Sequence, residues 1–213
     1  VFPSGPGLSE LKINSNYHKS LINSDYVFFD SGFFVLLLRF FKNINVQKLS
    51  GYKFLDFYFN YLKINKKKIF SIDPNKELSN SYRLFFKKKI KIKSFHYIAP
   101  KYNLRIKINK NLIKRIHDSK AKEIIINIGG GTQEILGYYL SKKLNKKYKI
   151  VCTGAAIAFF TGDQSPINNN IDKLYLGWLF RIIYNPKIFL PRYLSAFKLF
   201  FLFIRKKNTI SLH

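Results

Sequence analysis

Methionine is absent from the 213 residues, cysteine and tryptophan each occur once, and 11 acidic side chains stand against 38 Lys and Arg. Each shortage excludes something. A lone cysteine, Cys152, rules out an internal disulfide framework and suits a reducing, cytosolic compartment. The missing methionine suggests a fragment or an unusual start, with an incomplete first strand, so little is read from residues 1–8. No run approaches the ~20 apolar residues that span a bilayer, and VFPSGPGLSELK is too poor in apolar residues for a secretory signal, so the chain is not expected to cross a membrane. His18, His96, His117 and His213 are scattered, and no Asp-x-Asp pair is present to hold a cation on a nucleotide diphosphate. No linker rich in Pro, Gly or Ser divides the chain.

What remains is an apolar share of 47% and a formal charge of +27. The first is ample for one buried core. The second points to nucleic acid or an anionic membrane, although Lys, Asn, Ile, Phe and Tyr dominate throughout, a bias that an AT-rich genome would impose. The clusters Lys66–Lys68, Lys87–Lys89, Lys142–Lys143 and Lys146–Lys147 read as a solvated face. Apolar runs at Tyr26–Phe29, Lys68–Ile72, Ile92–His96, Glu123–Ile128 and Lys149–Thr153 read as strands. Helical periodicity lies between them, including Gly32–Phe41, Tyr52–Asn65, Gln133–Asn145, Ile171–Tyr184 and Arg192–Arg205. Strands alternating with helices predict an α/β fold with a Rossmann-like, mainly parallel sheet and helices on both faces. Residues 1–170 form the expected core, and 171–213 a helical appendage that associates with membrane.

Three motifs follow one another from Ile124 to Tyr193. IIINIGGGTQE puts Gly129, Gly130 and Gly131 between a strand and a helix, where N–H groups and the helix dipole hold phosphate. It is neither G-x-G-x-x-G nor G-x-x-x-x-G-K-[ST], so the glycines alone more often mark a tight strand-to-helix turn than a phosphate site, and the Gln-Glu that follows favours the site. Thr132 belongs to the same turn, and Gln133 can hydrogen-bond a nucleotide or sugar. Gly154, with Ala155 and Ala156, makes a second close-approach turn, suited to binding or to packing. Arg181 and Arg192 can present guanidinium forks to a diphosphate, or face solvent or lipid. The last helix, RYLSAFKLFFLFIRKK, is too charged to span and suits a membrane interface, with burial in the fold as the alternative. Asp30 ends the Tyr26–Phe29 run, where it serves either as a general base or as the N-cap of the helix from Gly32. Cys152 reads as an inert core thiol.

These motifs, with SDYVFFDSGFFVLLLRF and QKLSG before them, resemble the WecG/TagA/CpsF glycosyltransferase family over most of the chain. Asp30 corresponds to that family's Asp-Gly pair, with Ser31 standing before Gly32. Lys48 occupies the place of an Arg, and Gly129–Glu134 that of a Gly-Ser-Pro-Lys-Gln-Glu-like loop. Thr153–Phe159 matches a Gly-Val-Gly-Gly-Ala-Phe-like turn. Gly177–Arg181, Pro186, Arg192 and Tyr193 match a Glu-Trp-Leu-Tyr-Arg, Pro, Arg-Tyr series, with Gly177 where Glu is usual. Phe2 and Ser4 stand near a Thr and an Asn that line the family's pocket. The resemblance implies transfer of an N-acetylmannosamine-like sugar from a UDP-sugar to a polyprenyl-diphosphate-linked saccharide for surface polysaccharide, on the cytoplasmic face of a bacterial plasma membrane; with scattered His and no Asp-x-Asp pair, the transfer is expected to be metal-independent. The resemblance makes Asp30 the base. Ser4, Lys48, Gly129, Gly130, Gly131, Thr132, Gln133, Gly154, Arg181 and Arg192 become substrate-binding residues. Neither a cofactor nor nucleic acid is expected, and a homo-oligomer is compatible. A basic nucleic-acid or anionic-surface binding protein and an inactive family member are the alternatives.

Overall fold

The computed structural model describes residues 1–11, 14–102, 110–164 and 177–205. In chain order, α1 (Gly5–Leu8), α2 (Ser15–Ile22), α3 (Gly32–Lys42) and α4 (Gly51–Ile64) precede the first strand. Then come β1 (Ile69–Asp73), α5 (Lys76–Phe85) with a π turn (Phe86–Ile90), β2 (Ser94–Ile98), α6 (Lys110–Ser119), β3 (Glu123–Ile126), α7 (Thr132–Lys143) and β4 (Lys149–Cys152). A 3-10 turn (Gly154–Ile157) leads into α8 (Ala158–Thr161); α9 (Gly177–Tyr184), α10 (Pro186–Ala196) and α11 (Lys198–Arg205) follow.

The four strands form one parallel sheet in the order β2-β1-β3-β4. Strands β1 and β3 are buried along their whole length, which matches their near-continuous Ile and Phe, since a central parallel strand is covered on both faces. Side chains alternate between the two layers. Ile69 and Ile125 pack with Leu55, Phe59, Leu62, Tyr82 and Phe86 from α4, α5 and the π turn. Phe70, Ile72, Ile124 and Ile126 pack with Leu112 and Ile116 of α6 and Leu136 and Leu140 of α7. Each such side chain contributes roughly 1.5–3 kcal/mol on leaving water, which makes these layers the main hold on the sheet. A third cluster joins Leu8, Tyr17, Leu21 and Leu37 to Leu199 of α11, so part of the C-terminal region is packed against the N-terminal helices.

Two expectations from the sequence are corrected here. Tyr26–Phe29 is not a regular strand: it is extended chain tied by Phe28 N–H to the Val1 carbonyl at 3.0 Å, with the Phe29 carbonyl accepting from Leu49 N at 3.1 Å. With the Val1 amine donating to the Tyr26 carbonyl at 2.8 Å, these three bonds hold the segment without building a regular strand. The single helix expected over Arg192–Arg205 is two, α10 and α11, parted at Phe197. The expected boundary at Asn168–Asn170, and residues 171–176 of an expected helix, lie outside the described residues. Among those described, no helix is long and apolar enough to cross a membrane.

Candidate active site at the carboxyl edge of the sheet

The crossover geometry brings the turns after β3 and β4 to one edge. After β3, Gly129 and Gly130 are exposed and Gly131 takes φ +87°, a conformation that side chains disfavour and that turns the chain into α7. Glu134 caps the helix from inside, its Oε2 accepting the Gly131 N–H at 2.7 Å. After β4, Gly154 also has a positive φ, +59°. Its N–H donates to Gln133 Oε1 at 2.6 Å, while Gln133 Nε2 donates to Glu134 Oε1 at 3.0 Å. Gln133 therefore ties the two glycine turns together. Its oxygen and its amide each make a bond within the protein, and the side chain is buried, so it braces the two turns. A Cβ on Gly154 would lie 3.5 Å from Gln133 Nε2, an ordinary contact, so the positive φ rather than a lack of space is what favours glycine in this buried turn.

Asp30 reaches the same edge from the N-terminal segment. Ser31, not Asp30, caps α3, its Oγ accepting from Phe34 N at 3.2 Å. The half-buried Asp30 carboxylate instead accepts the Gly51 N–H at 3.1 Å, at the start of α4, where the helix dipole favours negative charge. Gly51 backs onto the second turn: a Cβ there would lie 3.3 Å from Ala156 Cβ and 3.5 Å from Thr153 Cβ. Thr153 Oγ1 is buried with no partner among the described residues. Lys48, half-buried, lies just before Ser50, whose Oγ caps α4. Ser4 caps α1 and stands over the first turn, 3.0 Å from where a Gly130 Cβ would be. A Cβ on Gly129 or Gly131 would meet nothing within 4 Å. The side chains of Arg181 and Arg192 lie outside what the structure describes.

Burial raises the Glu134 carboxyl above the ordinary glutamate value, against the lowering influence of its N–H partners. It raises the thiol of Cys152, which is buried and has Sγ 3.5 Å from the Gln133 carbonyl oxygen. That thiol is unsuited to nucleophilic chemistry.

A second polar cluster went unseen in the sequence. Asp73, fully buried at the end of β1, accepts from Ser71 Oγ at 2.6 Å and Asn127 Nδ2 at 3.1 Å, and its other oxygen is 2.7 Å from His96 Nδ1. His96 Nε2 is 2.9 Å from Ser94 Oγ. Asn127, which opens the first glycine turn, keeps a buried Oδ1 with no partner among the described residues. The partners are 23 and 54 positions from Asp73, so no local motif announces them. The cluster fastens the ends of β1, β2 and β3 beneath the turn. Among the described residues, no three His, Cys, Asp or Glu side chains gather to hold a metal ion.

Residues 1–211 match the family model described as Glycosyl transferase WecG/TagA/CpsF family. No curated protein matches the chain.

Proposed function

Because the chain belongs to the WecG/TagA/CpsF glycosyl transferase family, we propose that it moves an N-acetylmannosamine-like sugar from a UDP-sugar to a polyprenyl-diphosphate-linked saccharide. The acceptor hydroxyl must lose a proton while negative charge grows on the departing UDP. Asp30 takes that proton. The open N–H groups of Gly129–Thr132 at the start of α7 receive the diphosphate, with Ser4 and Lys48 at the rim and Arg181 and Arg192 supplying further cationic contacts. Gln133 and Gly154 hold the two turns in register. Charge on the leaving group is carried by N–H groups and cations of the chain, so the transfer proceeds without a metal. Residues 1–170 make the catalytic core, and the helices after it bring the core to the cytoplasmic face of the membrane, where the product enters surface polysaccharide.

The observation that carries this reading is the position of Asp30: released from capping its own helix, it is bonded to Gly51, which packs on the turn that Gln133 joins to the glycine loop. On this reading one edge of the sheet holds both the proposed base and the proposed anion cradle. The test is UDP release from a panel of UDP-sugars with detergent-dispersed polyprenyl-diphosphoryl N-acetylglucosamine. Asp30→Asn is expected to lower turnover by about 100-fold or more while UDP binding persists. A wild-type protein that neither binds UDP nor releases it would overturn the proposal in favour of a non-enzymatic role.

A further inference from the structure

The buried polar cluster on β1 and β2 ends in a hydroxyl that reaches the surface. Ser94 Oγ, at the start of β2, is 2.9 Å from His96 Nε2, and His96 Nδ1 is 2.7 Å from Asp73 Oδ2. Asp73 and His96 are buried, whereas Ser94 is half-buried on the edge strand of the sheet. The carboxylate is fixed from its other side, where Asp73 Oδ1 accepts from Ser71 Oγ at 2.6 Å and Asn127 Nδ2 at 3.1 Å. A carboxylate only accepts, so Nδ1 of the neutral imidazole carries the proton and Nε2 turns its lone pair to the Ser94 hydroxyl. The Phe86 ring packs against the imidazole with ring centres 6.1 Å apart.

We propose that Ser94, His96 and Asp73 form a nucleophilic centre that hydrolyses small acyl esters, separate from the sugar-transfer site. A serine becomes a nucleophile when an adjacent base takes its proton and a third group orients that base. The row of bonds here runs in that order, from a buried carboxylate outward to an accessible hydroxyl. The edge position supplies a further requirement. Ile69 N donates to the Lys93 carbonyl at 3.1 Å and Ala99 N to the Asp73 carbonyl at 2.8 Å. With Ile69 paired to Ser94 and Asp73 to Ile98, parallel pairing turns the N–H of Phe95 and Tyr97 toward β1 and those of Ser94 and His96 away from it. The Ser94 N–H therefore lies on the open side of the strand, where it donates to the oxyanion formed at an attacked carbonyl. Exposed Lys91 and Lys93 flank the serine and favour the carboxylate product. Half-burial of Ser94 restricts the acyl group to a short one. In the reaction, Ser94 Oγ bonds to the acyl carbon and its proton passes to His96 Nε2. The carbon–oxygen bond to the alcohol breaks, and the alcohol leaves with that proton. Water then attacks the acyl-serine, giving a proton to Nε2 that returns to Ser94 Oγ as the acid departs. Because Ser94 pairs with the first residue of β1, it lies at the end of the sheet opposite the glycine turns, and the proposal does not depend on the sugar transfer.

The experiment is labelling of the whole chain with a fluorophosphonate probe, the modified residue being mapped by peptide mass spectrometry, beside hydrolysis of p-nitrophenyl acetate followed over several turnovers. The wild type is expected to be labelled at Ser94 and to turn over the ester. Ser94→Ala should abolish the label and lower turnover about 100-fold or more, or to the background given by surface lysines, with melting temperature and UDP binding unchanged. Asp73→Asn keeps the size of the side chain but no longer selects the Nδ1–H tautomer, and should slow labelling about 100-fold or more. Ser81→Ala removes a hydroxyl that donates directly to Asp163 at 2.8 Å, without an intervening imidazole, and should change neither reading. The site mapped on the wild type does not depend on how any variant folds. A label on another residue or on none, equal turnover from Ser94→Ala, or a labelling rate indifferent to Asp73→Asn would overturn the proposal.

Discussion

The two ends of the parallel sheet are built from opposite materials. At its amino edge every strand is preceded or opened by exposed lysines: Lys66–Lys68 at β1, Lys87–Lys89, Lys91 and Lys93 at β2, Lys120 and Lys122 at β3, and Lys146, Lys147 and Lys149 at β4. Its one buried carboxylate, Glu123, is satisfied by the Tyr58 hydroxyl at 2.7 Å. The carboxyl edge has glycines at positive φ, two buried carboxylates and, among the described residues, two buried oxygens without a partner, Asn127 Oδ1 and Thr153 Oγ1. Helix direction accounts for much of this. In a parallel α/β layer the helices end at the amino edge, where cations complement the negative end of each dipole, and begin at the carboxyl edge, where N–H groups attract anions. The lysine excess is therefore concentrated at the edge opposite the candidate site, whose glycine turns offer backbone N–H groups.

The contrast is most exposed to test at Asp73, where the expected effect is greatest. Asp73→Ala leaves His96, Asn127 and Ser71 without their shared acceptor in a buried place, and urea unfolding should show a loss of about 3 kcal/mol. Glu123→Gln, at the amino edge, should cost about 1 kcal/mol. Equal costs at both edges would abolish the difference between them. Gly131→Ala meets no atom, so its effect isolates backbone conformation: about 1–2 kcal/mol of stability, with weaker UDP binding by calorimetry. Smallest of all, Lys87→Gln, Lys88→Gln and Lys89→Gln together should change stability by less than about 0.5 kcal/mol and leave UDP binding as it was.

Glu134 extends the contrast to pH. Its carboxyl is raised by burial, so the folded protein keeps that proton to higher pH than the unfolded chain does. Stability contributed by this group is then greatest below the unfolded glutamate value of ~4.3 and falls as pH rises through the folded value. Glu134→Gln keeps an acceptor for Gly131 and removes the fall. The two unfolding free energies should change relative to each other from acid to neutral pH, with the variant losing less; parallel profiles would mean that Glu134 is solvated.

Most of the sheet was legible because its strands are short, apolar and bounded by turn residues, as at Ile124–Gly129. Both glycine turns were legible for the same reason. Tyr26–Phe29 misled because aromatic residues mark a strand by propensity, whereas here Phe28 stacks on Phe2 at 4.9 Å within an extended segment that makes little ladder. The Asp73 cluster was illegible because its members come from β1, β2 and the turn after β3 and meet only when the register sets Ser71 opposite His96. Gln133 was recognised as part of the site, but its bracing role depends on Gly154, 21 positions away, which no spacing rule reveals.

Gly137 of α7 has a Cβ position only 2.7 Å from Cys152 Sγ. That close seat hides the chain's sole thiol between α7 and β4, beside both glycine turns. A thiol reagent can react there only in moments when this edge comes apart. The native protein therefore carries its own clock: the rate of labelling counts the openings of the site, and any ligand that clamps the turns slows it.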